Sequence, residues 1–99
     1  MITHSQAAQL TKDYLLTHGW TADYENEKHF GKVCIMVAAE KSLEEVGIYH
    51  YDSFSNDFCN LLINRIGAKD NFGAFEWNDS QSSIDPIIAL LDSIIMEES

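Results

Sequence analysis

Positions Ala7, Leu10, Tyr14, Leu15 and His18 recur at helical spacing after the pair Thr3 and Gln6, whose three-residue separation is that of a capping box. Gly19 follows as a C-terminal stop, so the spacing predicts an amphipathic helix over residues 4–18. Trp20, Ala22 and Tyr24 then alternate with Thr21, Asp23 and Glu25, the two-residue period of a strand with one wet face. The polar residues Asn26 to His29 suit a hairpin connection. Lys32 to Ala39 is apolar at nearly every position, as in a central strand covered on both faces. Glu40 to Glu45 is charged and turn-like, and Val46 to Tyr51 alternates β-branched and aromatic residues around Gly47, which predicts a third strand.

Ser53 or Ser55 can cap a helix carrying Phe58, Leu61, Leu62 and Ile66, with Cys59 and Ile63 widening the stripe until Gly67 ends it. Phe72 to Trp77 reads as a short strand with Phe75 and Trp77 on one core face, and Asn78 to Ser83 as a polar loop. Asp85 caps a last helix with Pro86 at its first position, where the missing N–H costs nothing. At 100° per residue, Ile84, Ile87, Ile88, Leu91, Ile94 and Ile95 fall within an arc of about 120° flanked by Leu90. The expected order is α-β-β-β-α-β-α. That order predicts an α+β two-layer fold, an antiparallel sheet of about four strands with helices packed on it, in a single globular domain over residues 1–99.

Composition supports a packed core, since 45% of the 99 residues are hydrophobic and 11% aromatic. The net charge of −10 weighs against direct binding of nucleic acid or an anionic membrane, which require clustered Lys and Arg. The charge is also uneven. From residue 70 onward the acids are Asp70, Glu76, Asp79, Asp85, Asp92, Glu97 and Glu98, with no Lys or Arg among them. This C-terminal third is expected to be a negative surface, either solvated or facing a basic partner. The first residues carry no basic leader followed by an apolar stretch. The longest aliphatic run, Ile87 to Leu91, is too short to cross a bilayer, so a cytoplasmic location is expected.

Chemistry is sparsely marked. The five glycines are isolated and form no phosphate-binding loop, and Cys34 and Cys59 lack CxxC spacing, so buried free thiols are expected. His50-Tyr51-Asp52 is the densest polar cluster. On a strand, His50 and Asp52 share a face about 7 Å apart, close enough for the carboxylate to orient the imidazole, yet two ligands do not make a transition-metal site. No cofactor or metal is expected. Adjacent acids such as Glu44 and Glu45 read as solvated charge. Aromatic residues set among acids instead suggest an interface, with rings as the desolvated centre and carboxylates as the steering rim. The candidate partner-binding residues are Tyr51, Asp52, Asp57, Asp70, Glu76 and Asp79.

These features favour a non-enzymatic acidic binding protein that neutralises or protects against a basic protein such as a toxin or nuclease, as immunity proteins, antitoxins and phage anti-defence inhibitors do. The alternative is a homodimeric escort or adaptor. The expected element order and acidity resemble those of the small chaperones of type III secretion, and the aliphatic stripe after Pro86 offers a surface for a twin copy. A third class, an enzyme centred on His50 and Asp52 with Cys34 or Glu76, has no specified catalytic constellation.

Overall fold

The computed structural model describes residues 2–22 and 31–98. Five helices account for 70% of them: α1 (His4–His18), α2 (Ile35–Glu45), α3 (Ser53–Ile66), α4 (Asn71–Asp79) and α5 (Asp85–Glu97). Helix α1 begins with the expected capping box. The Thr3 Oγ1 accepts from the Gln6 N–H at 3.1 Å, and the Gln6 Oε1 accepts from the Thr3 N–H at 2.8 Å. Ala7, Ala8, Thr11 and Leu15 are buried on one face, and α1 packs along both α2 and α5. Helix α2 also meets α3 and α4, which places its Ile35, Ala38, Ala39 and Leu43 at the centre of the core. Small residues on α1 and α2 leave room for their backbones to approach.

The antiparallel sheet of about four strands does not form among the described residues, and the α+β expectation is replaced by an all-helical fold. The parallel bridge between Trp20 and Val33 is isolated, made as the Thr21 N–H donates to the Val33 carbonyl at 3.1 Å and the Val33 N–H to the Gly19 carbonyl at 3.0 Å. Most of the expected strand after Trp20 and its hairpin, residues 23–30, lie outside the described residues.

The remaining expected strands have specific reasons for being helical. Of the apolar run Lys32 to Ala39, residues 35–39 form the first half of α2, which continues through Glu40–Glu45, the stretch expected to turn, while Cys34 is its N-cap. Its buried positions, Ile35, Met36, Ala38, Ala39, Ser42 and Leu43, have a helical period that appears only when the run is read together with the charged residues after it. Val46 to Tyr51 is a turn rather than a strand. It begins as the C-terminal cap of α2: the Ile48 N–H reaches the Leu43 carbonyl at 2.9 Å and the Gly47 N–H that of Glu44 at 3.0 Å. Gly47, at φ +83°, takes the left-handed conformation this reversal requires. Phe72 to Trp77 belongs to α4, which extends through Asn78 and Asp79 of the expected loop.

Helix α3 matches the expected stripe, with Asp52 rather than Ser53 or Ser55 at its N-cap and left-handed Gly67 at its end. Pro86 opens α5 as expected, while Asp85 lies inside the helix and Ile84 holds the cap position. With the strands gone, the element order that resembled the secretion chaperones is gone too. The apolar stripe of α5 buries Ile87, Leu91 and Ile94, and α5 packs on α1. No described helix is long and apolar enough to cross a membrane.

Candidate functional site

The acid-only C-terminal third divides into two parts once folded. Asp92, Glu97 and Glu98 on and after α5 meet bases from the first two thirds of the chain. Lys12 Nζ lies 2.7 Å from Asp92 Oδ1, and the Arg65 guanidinium pairs with Glu97 and, at 3.9 Å, with Glu98. These exposed or half-exposed pairs contribute little to stability but cancel much of the local field. Asp70, Glu76, Asp79 and Asp85 take part in none of the ion pairs among the described residues.

Three of those four acids belong to α4 and its cap. Asp70 is the N-cap, its Oδ1 accepting from the Gly73 N–H at 3.0 Å. Phe72, Glu76 and Asp79 fall at i, i+4 and i+7, so they share one face of α4, and all three are exposed. Phe72 is 80% exposed, an uncommon state for a phenyl ring. The opposite face carries the buried Ala74 and Asn78. Phe75 and Trp77 pack against the core, as their expected role required. The partner-binding residues expected from sequence include Glu76 and Asp79 but not Phe72; a two-residue period sets Asp79 on the face opposite Phe72 and Glu76, whereas the helical period unites all three.

A second exposed aromatic group occupies the turn before α3. The Tyr49 and Tyr51 rings stack at 5.7 Å, and Tyr51 is 72% exposed. His50 meets the Tyr51 ring edge-on at 5.5 Å. Asp52 fixes the turn, its Oδ2 accepting from the Tyr49 N–H at 2.7 Å while its own N–H donates to the Tyr49 carbonyl at 2.9 Å. Asp57 is exposed on the first half of α3. Tyr51, Asp52 and Asp57 therefore fall in one stretch, and Asp70, Glu76 and Asp79 on α4. Between the two stretches lies a cleft of about 200 Å³, lined by His50, Asn56 and Cys59 on one side and Asn71 and Phe75 of α4 on the other.

Glu40 of α2 also lines this cleft. Glu40, Glu44 and His50 each offer one ligand atom, and these atoms lie within 4.8 Å of one another. Asp52, the expected companion of His50, has its carboxylate engaged with Tyr49 instead. The two glutamates were missed because their segment read as a turn. Their i, i+4 spacing followed by Gly47 and His50 is the signal that a helical reading exposes.

Neither cysteine resembles an activated nucleophile. Burial pushes the Cys34 thiol above its ordinary ionisation range, opposed by backbone hydrogen bonds at the start of α2. Burial also raises Cys59, with Glu40 adding to the effect and a hydrogen bond with Ser55 opposing it. Both groups stay neutral in the fold at pH values where the unfolded chain ionises them. Their contribution to stability is therefore complete below the ordinary thiol pKa and lost as pH rises through it toward the folded values. Denaturant midpoints measured from neutral to alkaline pH should fall less steeply for Cys34→Ala/Cys59→Ala than for the natural sequence. Equal slopes would assign the alkaline loss to other groups.

Comparison with known protein families, curated proteins and solved structures finds no match for this chain, so the reading of its function rests on the residues and geometry above.

Proposed function

We propose that this protein is a non-enzymatic binding protein that blocks a basic partner protein, using the exposed face of α4 together with the aromatic turn before α3. The observation that carries this reading is the position of Phe72, 80% exposed on the helix face that also carries Glu76 one turn on and Asp79 two turns on. An exposed ring that shares its face with carboxylates that join no ion pair among the described residues has the chemistry of an interface anchor with a steering rim. The Tyr49–Tyr51 stack offers a second rigid anchor at little cost in side-chain entropy. A partner that displays Lys and Arg for phosphate groups is complementary to this arrangement. A toxin or nuclease held by an inhibitor is the partner class that fits best.

Affinity capture at low salt, with captured proteins identified and the complex rebuilt from purified components, tests this reading. A one-to-one complex with a basic protein is expected, with association slowed by added salt. Glu76→Lys/Asp79→Lys should weaken it strongly, and Tyr51→Ala should cost about 2 kcal/mol, roughly thirtyfold in Kd. The control Glu97→Lys/Glu98→Lys alters acids already paired with Arg65 and should have a smaller effect. Salt-insensitive binding, or equal loss in the control, would remove the basis for the α4 surface.

A further inference from the structure

We propose that Glu40, Glu44 and His50 form a binding site for a divalent transition-metal ion, with Zn²⁺ the best match to the donor set. The proposal stands independently of the protein partner.

The site is assembled by one helix and its cap. Glu40 and Glu44 are four residues apart on α2, which puts their carboxylates on one helix face a turn apart. After Glu45 the cap centred on Gly47 reverses the chain, and the hydrogen bond from the Ile48 N–H to the Leu43 carbonyl holds the returning segment against the helix end. His50 comes back two residues later, within reach of both carboxylates. The Asp52–Tyr49 hydrogen bonds and the edge-on Tyr51 ring limit how far it can turn away.

The charge around the cluster distinguishes it from the paired acids at the end of α5. Glu97 and Glu98 converge on the Arg65 guanidinium, whereas neither Glu40 nor Glu44 joins an ion pair among the described residues. Two carboxylates and an imidazole thus converge with no Lys or Arg paired to them among the described residues, which leaves their lone pairs open to a divalent cation. Ligand atoms bound at 2.0–2.1 Å to a tetrahedral ion stand about 3.4 Å apart. Atoms already within 4.8 Å need to close by only about 1.4 Å or less, a shift within the range of side-chain rotation. A pure carboxylate set would suit Mg²⁺ or Ca²⁺, but the imidazole nitrogen shifts the preference to Zn²⁺ and its neighbours in the first transition row. Three protein ligands leave a fourth position for water or an external donor. Cys59 lines the same cleft as Glu40 and His50 but is not one of the converging ligands.

Calorimetric titration of the chelator-stripped, reduced protein with ZnCl₂, and separately with MgCl₂ and CaCl₂, tests the site. Zn²⁺ is expected to bind one-to-one and to raise the thermal midpoint. His50→Ala and Glu40→Gln/Glu44→Gln should each weaken binding by about tenfold or more. Cys59→Ser and Glu97→Gln/Glu98→Gln should bind as the natural sequence does. Far-UV circular dichroism of each variant separates ligand loss from unfolding, and a variant that unfolds is replaced by His50→Gln or by a single glutamate change. Zn²⁺ binding that survives the His50 and glutamate changes, that disappears with Cys59, or that is no tighter than Mg²⁺ binding would overturn the proposal.

Discussion

Asn78→Ala should lower the unfolding free energy by about 3 kcal/mol, a large share of the 5–15 kcal/mol that stabilises an ordinary small protein. Asn78 is fully buried on α4. Its Oδ1 accepts from Trp20 Nε1 at 2.8 Å and from the Ile35 N–H at 3.1 Å, and its Nδ2 donates to the Thr21 carbonyl at 2.9 Å. One side chain thus ties α4 to the segment after α1 and to the first turn of α2, where the Ile35 N–H has no partner within its own helix. Alanine leaves that buried donor unsatisfied and loosens the indole at the same time. Equilibrium denaturation followed by circular dichroism measures the loss. Asn78→Asp keeps the acceptor for Trp20 and Ile35 but places a buried charge beside Asp79, so it should also destabilise. A change below about 0.5 kcal/mol in Asn78→Ala would mean that α4 is held by apolar contacts alone.

The same residue explains why α4 was illegible in sequence. Only Ala74 and Asn78 are buried along its nine residues, so no apolar stripe announces a helix. Phe72, Phe75 and Trp77 among polar neighbours then imitate a strand. What selects the helix is tertiary: a buried amide that satisfies donors on two other segments, contacts no local pattern encodes. Helix α2 was misread for a different reason. Lys32 to Ala39 is apolar on every side because α2 contacts α1, α3 and α4, and an apolar run of this length does not distinguish a buried strand from a buried helix. Helices α1, α3 and α5 were legible because each buries one stripe beneath a wet face and ends or begins at recognisable punctuation, Gly19, Gly67 and Pro86.

The candidate sites inherited these errors selectively. Of the acids chosen for their place among aromatics, Asp57, Asp70, Glu76 and Asp79 are exposed and Asp52 is half-buried in the turn it fixes, because an unpaired carboxylate seeks water whatever the backbone does. Relations that depended on backbone period did not survive. His50 and Asp52 share a face only on a strand, whereas a helix over Glu40 and Glu44 brings those two residues to His50 instead. The uniform negative C-terminal third also required tertiary structure to resolve, since the bases that pair with Asp92, Glu97 and Glu98 lie 32 or more positions earlier in the chain.

Two phenylalanines should give opposite results when truncated. Phe58 is fully buried on α3, with the His4 ring of α1 at 6.0 Å, and it is among the largest side chains with no solvent contact. Phe58→Ala removes most of the one aromatic side chain in the fully buried core of the described residues, and should cost about 3–5 kcal/mol. That loss brings the protein near its unfolding threshold, and a fall in thermal midpoint would register it. Phe72→Ala should change stability by less than about 0.5 kcal/mol, because the ring already stands in water. If α4 presents an interface, Phe72→Ala should instead weaken the partner complex by about 2 kcal/mol while leaving the isolated protein folded. A Phe72 variant that loses stability would place the ring in a contact that its 80% exposure contradicts. One that leaves both stability and partner affinity intact would make the exposed ring incidental, and the function would then have to be sought at the aromatic turn and the cleft.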